Sequence, residues 1–146
     1  MSHLAKLTIM VNHRVVSRFS EQPPLSMNGR AKIAGGPLYS ADEVVRILND
    51  APPVFGTSKC IKDAQNLCLD DTAVGMLLKE AVTQGRYKDS EWCELKSGGP
   101  IAACDAYELK RMEWNEFAHK ELECNYFLKF AIAKTGKIVV TVSCHT

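Results

Sequence analysis

The chain has 146 residues, of which 46% are hydrophobic and 24% charged, and this length and composition predict one folded domain. Disorder and membrane insertion are excluded, since the hydrophobic content is that of a globular protein and no apolar run approaches the ~20 residues that span a bilayer. The formal net charge of +1 provides no global attraction for nucleic acid, so any contact with RNA must come from a local patch.

The six cysteines form no C-x-x-C pair and have no closely spaced histidine partners, which excludes the usual zinc signatures. Thiols scattered along a domain of this size indicate a reducing compartment. The first 19 residues also lack the apolar segment and small-residue cleavage site of a secretion signal. We therefore expect a cytoplasmic protein that uses no metal ion and no other cofactor.

The amino-terminal residues 1–37 are expected to form an arm or a hairpin with a loop, separate from the main fold. Residues 4–19 alternate loosely between apolar and polar side chains, which is compatible with a hairpin. Residues 20–37 are rich in proline and glycine, which favour turns and remove backbone donors. Residues 38–146 form the predicted core domain.

Helix signals dominate the first half of this core. A capping box at residues 40–43 predicts a helix start, because the serine oxygen and the glutamate carboxylate satisfy free amide groups reciprocally. Residues 60–69 show a weaker helical pattern whose type the sequence leaves open. Asp70 then offers a cap for a further helix, which we expect to end at Gly85 in a left-handed conformation.

Strand signals follow, because the hydrophobic period changes to two after the helices. Residues 91–96 predict a strand with Cys93 and Leu95 inward, and residues 106–114 predict the next strand. Residues 125–145 give the clearest pattern, two alternating segments separated by a glycine turn, which predicts an antiparallel hairpin. This order predicts an α+β domain in which two or three helices pack on one face of a three- to five-stranded antiparallel sheet.

The opposite face of this sheet gathers polar side chains that a purely structural sheet does not require. The predicted open face comprises Lys88, Trp92, Glu94, Lys96, Lys129, Thr141, Ser143 and His145. Metal-free RNA cleavage needs a base for the ribose 2′ hydroxyl, an acid for the leaving 5′ oxygen and fixed cations beside the phosphate. Histidine suits either proton transfer, and lysine suits the cationic role.

Each of these residues also has a structural interpretation. Lysines on a sheet face are commonly solvated, and the penultimate residue His145 is placed where chain ends fray. Trp92 and Trp114 are more often packing residues than base-stacking platforms. The case for a site therefore depends on their convergence on one surface.

Two segments are similar to the MqsR group of bacterial toxin–antitoxin proteins, which belong to the broader RelE-like RNA-cleaving kind. One comprises the capped helix at residues 40–48 and the sequence LDDTAVGM at residues 69–76. The other is NYFLKF at residues 125–130, followed by a short turn and a terminal IVVTVS strand. The resemblance implies a RelE-like two-layer fold, a metal-independent endoribonuclease that cleaves mRNA with or without the ribosome, and a cognate antitoxin.

The resemblance also implies site residues. The family lysine that follows a tyrosine after the second helix matches Lys88, with Lys96 a weaker candidate farther along the strand. The family Trp-Gln pair resembles Trp114 and Asn115, where the amide is shorter.

The family strand tyrosine falls at Phe127, one place beyond Tyr126, and the family terminal-strand lysine falls at His145. If Phe127 is the true match, a hydroxyl is missing and His145 or another acid must replace it. The candidate catalytic residues are therefore Lys88, Lys96, Tyr126 and His145, and the candidate substrate-binding residues are Trp92, Trp114, Asn115, Phe127 and Lys129. RNA and the antitoxin are the expected partners, with no membrane.

A binding module without catalysis is the alternative, such as an immunity, inhibitor or anti-defence protein that uses the same sheet face. The nearly neutral charge favours this interpretation, because phosphate binding usually leaves a basic bias. A hydrolase with Cys144 as nucleophile and His145 as base is excluded, since adjacent strand residues face opposite sides of a sheet.

Overall fold

The computed structural model describes residues 14–27 and 31–146. The elements within these ranges are, in chain order, β1 (Ala31–Ile33), α1 (Ala41–Asp50), β2 (Val54–Phe55), α2 (Ser58–Asn66), α3 (Asp71–Gln84), β3 (Arg86–Glu94), β4 (Ile101–Asn115), β5 (Lys120–Ile132) and β6 (Val139–His145). None of the helices in these described ranges is long and apolar enough to cross a membrane. Most of the alternating segment predicted at residues 4–19 lies outside the described residues.

Each helix begins at a side chain that caps its first turn. Ser40 Oγ accepts a hydrogen bond from Glu43 N at 3.3 Å, and Asp70 Oδ1 accepts one from Ala73 N at 2.8 Å. The segment whose type the sequence left open is helix α2, which is capped by Thr57. Both predicted helices are therefore confirmed, and a third lies between them.

Gly85 ends α3 for a reason other than the predicted one. Its φ angle is −83°, so the expectation of a left-handed conformation is wrong. A Cβ atom at this position would lie 2.6 Å from Ala81 O and 2.7 Å from Glu108 O. Glycine is therefore required because the chain passes too close to the helix and to β4 for any side chain.

The strands form one six-stranded sheet in the order β1-β3-β4-β5-β6-β2. Strand β2 runs parallel to β6, while the other neighbours are antiparallel. The predicted α+β class and the carboxy-terminal hairpin are confirmed. The sheet is larger than predicted and mixed, because the two- and three-residue edge strands are too short to show a sequence period.

The described part of the amino-terminal segment lies against the sheet. Strand β1 pairs with β3, and single bridges join Val15 to Ile101 and Ser17 to Ala133. Ser17 Oγ also accepts a hydrogen bond from Ala103 N at 2.9 Å. Residues 14–27 and 31–33 thus cover one end of the sheet.

The helices cover one face of the sheet and form the main core with it. Helices α1 and α3 contribute buried aliphatic residues, which pack against alternate residues of β4 and β5. Aromatic rings link the layers, with the Tyr107 and Phe130 centroids 6.0 Å apart and those of Tyr39 and Phe130 6.3 Å apart.

The other face is concave. A Cβ atom built on Gly56, just after β2, would lie 3.7 Å from Leu95 Cδ2, just after β3. These two strands are separated by three others in the sheet, so their ends meet only because the sheet curls strongly. We call this surface the concave face.

Candidate functional site

The concave face holds a depression of about 320 Å³ across the middle of β3, β4, β5 and β6. Its lining residues are Lys88, Asp89, Glu91, Ala106, Tyr107, Phe127, Leu128, Lys129, Ser143 and His145. Four predicted site residues, Lys88, Phe127, Lys129 and His145, therefore come together here. We call this surface the first depression.

The β5–β6 register brings four side chains of the first depression to the same face. Phe127 pairs with His145 and Lys129 pairs with Ser143, so all four side chains project into the concave side. The register then shifts, because Phe130 pairs with Thr141 and leaves Val142 as an extra residue. Thr141 consequently lies buried, and its prediction as an open-face residue is wrong.

A second register shift lies in β3, where Tyr87 pairs with Tyr107 and Asp89 pairs with Ala106. Lys88 is therefore the extra residue of a β-bulge at the rim of the first depression. Bulges re-aim side chains, and here the bulge places the lysine beside the ring of Phe127.

Trp92 does not belong to the site, contrary to prediction. It is 5% exposed and packs near Phe19, with the two ring centroids 6.2 Å apart. The described part of the amino-terminal segment covers it, and β3 alternation then turns Glu91 and Cys93 toward the concave face. Cys93, which was predicted to point inward, is partly buried and packs against the main core, whereas Trp92 belongs to a separate apolar cluster under the amino-terminal segment.

Phe127 contacts both Lys88, a candidate for phosphate binding, and His145, a candidate for proton transfer. Its ring stacks on the His145 imidazole, with centroids 5.5 Å apart and an interplanar angle of 27°. Lys88 Nζ lies 4.9 Å from the Phe127 centroid, a cation–π distance. The ring thus contacts both a cation and an imidazole on the concave face.

Lys129 belongs to a cluster of charged side chains that also lines the first depression. Its ammonium donates a short hydrogen bond to Glu91 Oε1, and the side chains are only 23% and 7% exposed. Lys32 Nζ lies 3.3 Å from Glu91 Oε2 and donates to Asp89 Oδ2 at 2.5 Å. The cluster therefore links β1, β3 and β5 through alternating charges.

Both members of the central pair are held in their charged forms. Burial raises the pKa of Glu91, but the hydrogen bond and charge of Lys129, together with Lys32, outweigh burial and hold that pKa below its ordinary value. Burial lowers the pKa of Lys129, but the hydrogen bond and charge of Glu91, together with Cys93 and Cys104, outweigh burial, so the pKa of Lys129 is raised. Lys129 is therefore a fixed cation at neutral pH.

A second, larger depression of about 860 Å³ adjoins the first. The two share Lys129, Ser143 and His145 in their linings. Lys96 lines the second depression, in the loop after β3 rather than within the strand as predicted. Lys96 thus lines the same depression as His145 but not the one that Lys88 lines.

Tyr126 lies on the helix-facing side of β5. It is buried, and its hydroxyl donates a hydrogen bond to Glu113 Oε2 at 2.5 Å. Burial and the bond to this carboxylate both raise the pKa of Tyr126. The structure therefore separates Tyr126 from the lysines and the histidine with which it was predicted to act.

Trp114 and Asn115 also lie away from the site, at the far end of the β4–β5 hairpin. Trp114 is 57% exposed. Asn115 Oδ1 accepts hydrogen bonds from Phe117 N at 3.0 Å and Ala118 N at 2.9 Å, so its amide shapes the hairpin turn. The structure assigns these two residues to the hairpin tip and not to the first depression.

Sequence reasoning missed the carboxylates and one lysine of the cluster. Glu91 alternates with the buried Trp92, and this parity was a usable signal for the concave face. Lys32 left no signal, because its position depends on the pairing of β1 with β3 across 57 residues. Together with Lys88 at the rim, the two lysines of the cluster outnumber Asp89 and Glu91 by one positive charge, which favours the binding of a phosphate group.

The described residues contain no cluster of histidine, cysteine, aspartate or glutamate side chains arranged to hold a metal ion. Comparison of the chain with protein-family models, with curated proteins and with solved structures gives no match. Function is therefore inferred from the geometry and charge of the concave face.

Proposed function

We propose that this chain is a metal-independent endoribonuclease with a RelE-like core, acting as the toxin of a bacterial toxin–antitoxin system. The convergence of Lys88, Phe127, Lys129 and His145 on one concave face supports this proposal. Phe127, the position where the family resemblance would place a strand tyrosine, contacts both a cation and an imidazole in the first depression. These are groups that RNA cleavage requires.

Cleavage proceeds by attack of the ribose 2′ oxygen on the adjacent phosphorus. A base removes the 2′ proton, the new O–P bond forms, the bond to the 5′ oxygen breaks, and an acid protonates that oxygen. His145 carries one of these proton transfers, and the other falls to Lys88 or to water. The products are a 2′,3′-cyclic phosphate and a 5′ hydroxyl.

Lys129 stabilises the negative charge that develops on the phosphate. Its raised pKa keeps it protonated, so it suits an electrostatic role better than a proton transfer. Phe127 has no hydroxyl to donate, and its ring instead positions His145 and Lys88. In this proposal a histidine carries out the proton transfer for which the family uses a tyrosine.

The test is the double variant Lys88→Ala/His145→Ala, assayed on a mixed-sequence RNA without ribosomes. Cleavage should be abolished while the circular dichroism spectrum stays intact, because both side chains lie at the surface of the depression. The matched control is Lys110→Ala/His119→Ala, which removes the same side-chain types from exposed positions outside the first depression. Equal cleavage by wild type and the Lys88/His145 variant would discard the assignment.

A toxin would have two partners besides RNA, an antitoxin and the ribosome. An antitoxin that covers the concave face should inhibit cleavage, and growth arrest on induced expression should disappear in the Lys88→Ala/His145→Ala variant. Faster cleavage of translated than of free mRNA would indicate ribosome assistance. These outcomes separate the toxin role from RNA cleavage alone.

A non-catalytic binding module is the second candidate, favoured by the apolar tip of the β4–β5 hairpin. Met112, Trp114 and Phe117 are 59%, 57% and 96% exposed there, and grouped exposed apolar residues mark interaction sites. The salt dependence of binding distinguishes the two functions. Binding to RNA should weaken steeply between low and physiological salt, whereas a mainly apolar protein contact should scarcely change.

A further inference from the structure

The two depressions of the concave face form one continuous groove. Lys129, Ser143 and His145 line both of them, so the cation and the imidazole lie at the junction and not at an end. Volumes of about 320 and 860 Å³ fall in the range of sites that bind organic ligands. A chain-like ligand that reacts at the junction would therefore extend into both depressions.

The walls of the second depression are fixed before any ligand binds. Thr57 Oγ1 donates to Val142 O at 2.7 Å and accepts a hydrogen bond from Cys60 N at 2.9 Å. Asp63 Oδ2 accepts a hydrogen bond from Cys144 N at 3.1 Å. These contacts hold α2 and its capping residue against β6, so one wall is preorganised.

The charges of the second depression suit a phosphate backbone. Lys96 is exposed and forms no salt bridge with any residue in the described ranges. Lys59 pairs with Asp63 at 2.7 Å but is 59% exposed, so it can turn toward an anion. The Glu94 carboxylate accepts a hydrogen bond from Gly98 N at 2.8 Å.

Apolar side chains complete the surface. Phe55, Ile61 and Leu95 line the same depression as the two lysines. Apolar and aromatic surface beside cations is the combination that binds unpaired bases together with their phosphates. A base-paired strand would not present its bases to such a surface.

We infer that the second depression is a binding site for the nucleotides on one side of the cleaved phosphate, and that the substrate is single-stranded RNA lying across both depressions. This inference rests on the proposed endoribonuclease function. It assigns Lys96 and Lys59 to substrate binding, whereas Lys96 was predicted to be catalytic. Phosphates and bases of the flanking nucleotides contact the second depression, while the reacting phosphate lies at Lys129 and His145.

The experiment compares a dinucleotide with an octanucleotide that contains the same cleavage step. For the variant Lys59→Ala/Lys96→Ala, we expect kcat/KM to fall about tenfold more for the octanucleotide than for the dinucleotide, because only the longer RNA fills the second depression. The control variant Lys134→Ala/Lys137→Ala removes two exposed lysines from the β5–β6 turn and should not change this ratio.

An equal loss on both substrates, or no loss on either, would overturn the inference. Binding of an uncleavable 2′-deoxy octanucleotide, followed by fluorescence anisotropy, provides a measurement that does not need catalysis. Weaker binding by the Lys59/Lys96 variant supports RNA binding in the second depression, whether or not wild type cleaves RNA. Absence of cleavage by wild type would reject the proposed endoribonuclease activity but not the binding site. Octanucleotide binding that is equal in wild type and variant rejects the binding site whatever the cleavage result.

Discussion

Replacing Lys129 by methionine should destabilise the fold strongly, because it leaves the Glu91 carboxylate without its main partner. Glu91 is 7% exposed, and removing one member of a buried ion pair costs about 3–5 kcal/mol. Lys32 remains 3.3 Å from the carboxylate and compensates in part. We therefore expect a loss of about 3 kcal/mol in the free energy of unfolding and a fall of roughly 6–12 °C in melting temperature.

The other two variants of a double-mutant cycle test the same contact. Glu91→Leu leaves Lys129, which is 23% exposed and can reach water, so we expect a smaller loss of about 1–2 kcal/mol. Lys129→Met/Glu91→Leu replaces both charges by apolar groups of similar volume, which commonly changes stability by less than about 1 kcal/mol. The expected coupling between the two positions is therefore about 4 kcal/mol.

Urea denaturation followed by tryptophan fluorescence measures all four proteins, since Trp92 is buried in the native state. Additive effects of the two single variants, or a loss below about 0.5 kcal/mol for Lys129→Met, would show that the pair does not form as described. The double variant also separates stability from function. It should fold normally yet cleave no RNA, because the fixed cation is gone.

Three further predictions concern residues around the site and the core. The stabilisation that wild type gains over Glu91→Gln should be complete above the ordinary glutamate pKa of 4.5 and vanish as pH falls through the lowered folded-state pKa, which urea titrations across pH 3–6 would show. Tyr126→Phe should cost about 1 kcal/mol through the lost bond to Glu113 without reducing RNA cleavage; an inactive variant would contradict the placement of this tyrosine outside the site. Gly85→Ala should lower the unfolding free energy by about 2 kcal/mol or more, because its Cβ would lie 2.6 Å from Ala81 O, and an unchanged melting temperature would refute that close approach.

The sequence predicts the carboxy-terminal hairpin well because the signal is local. Alternation in β5 sends Lys129 to one face and Phe130 to the other, and both positions are confirmed. The capped helices are equally local, since cap and first turn lie within four residues. Convergence of Lys129 with His145 was also predicted from this hairpin, although it depends on a bulge in β6 that the alternation does not show.

Positions that depend on distant segments could not be predicted in this way. Trp92 is buried by residues from the amino-terminal segment, and Lys32 joins the site through the β1–β3 pairing. Neither contact leaves a periodic trace in the sequence, because each joins elements separated by more than 50 residues. Glu91 differs, because its alternation with Trp92 in β3 was a local signal that could have placed it on the concave face.

The bulge in β6 explains how one strand serves both the core and the site. Val139 and Cys144 are both fully buried, although strict alternation would place an odd and an even position on opposite faces. The extra residue Val142 changes the phase between them, so both contribute to the core. The same phase change turns Ser143 and His145 toward the concave face. Without the bulge, a strand that buried Val139 would also bury Ser143, and the imidazole would leave the first depression. The register shift that misled the prediction for Thr141 is therefore the feature that places His145 beside Lys129.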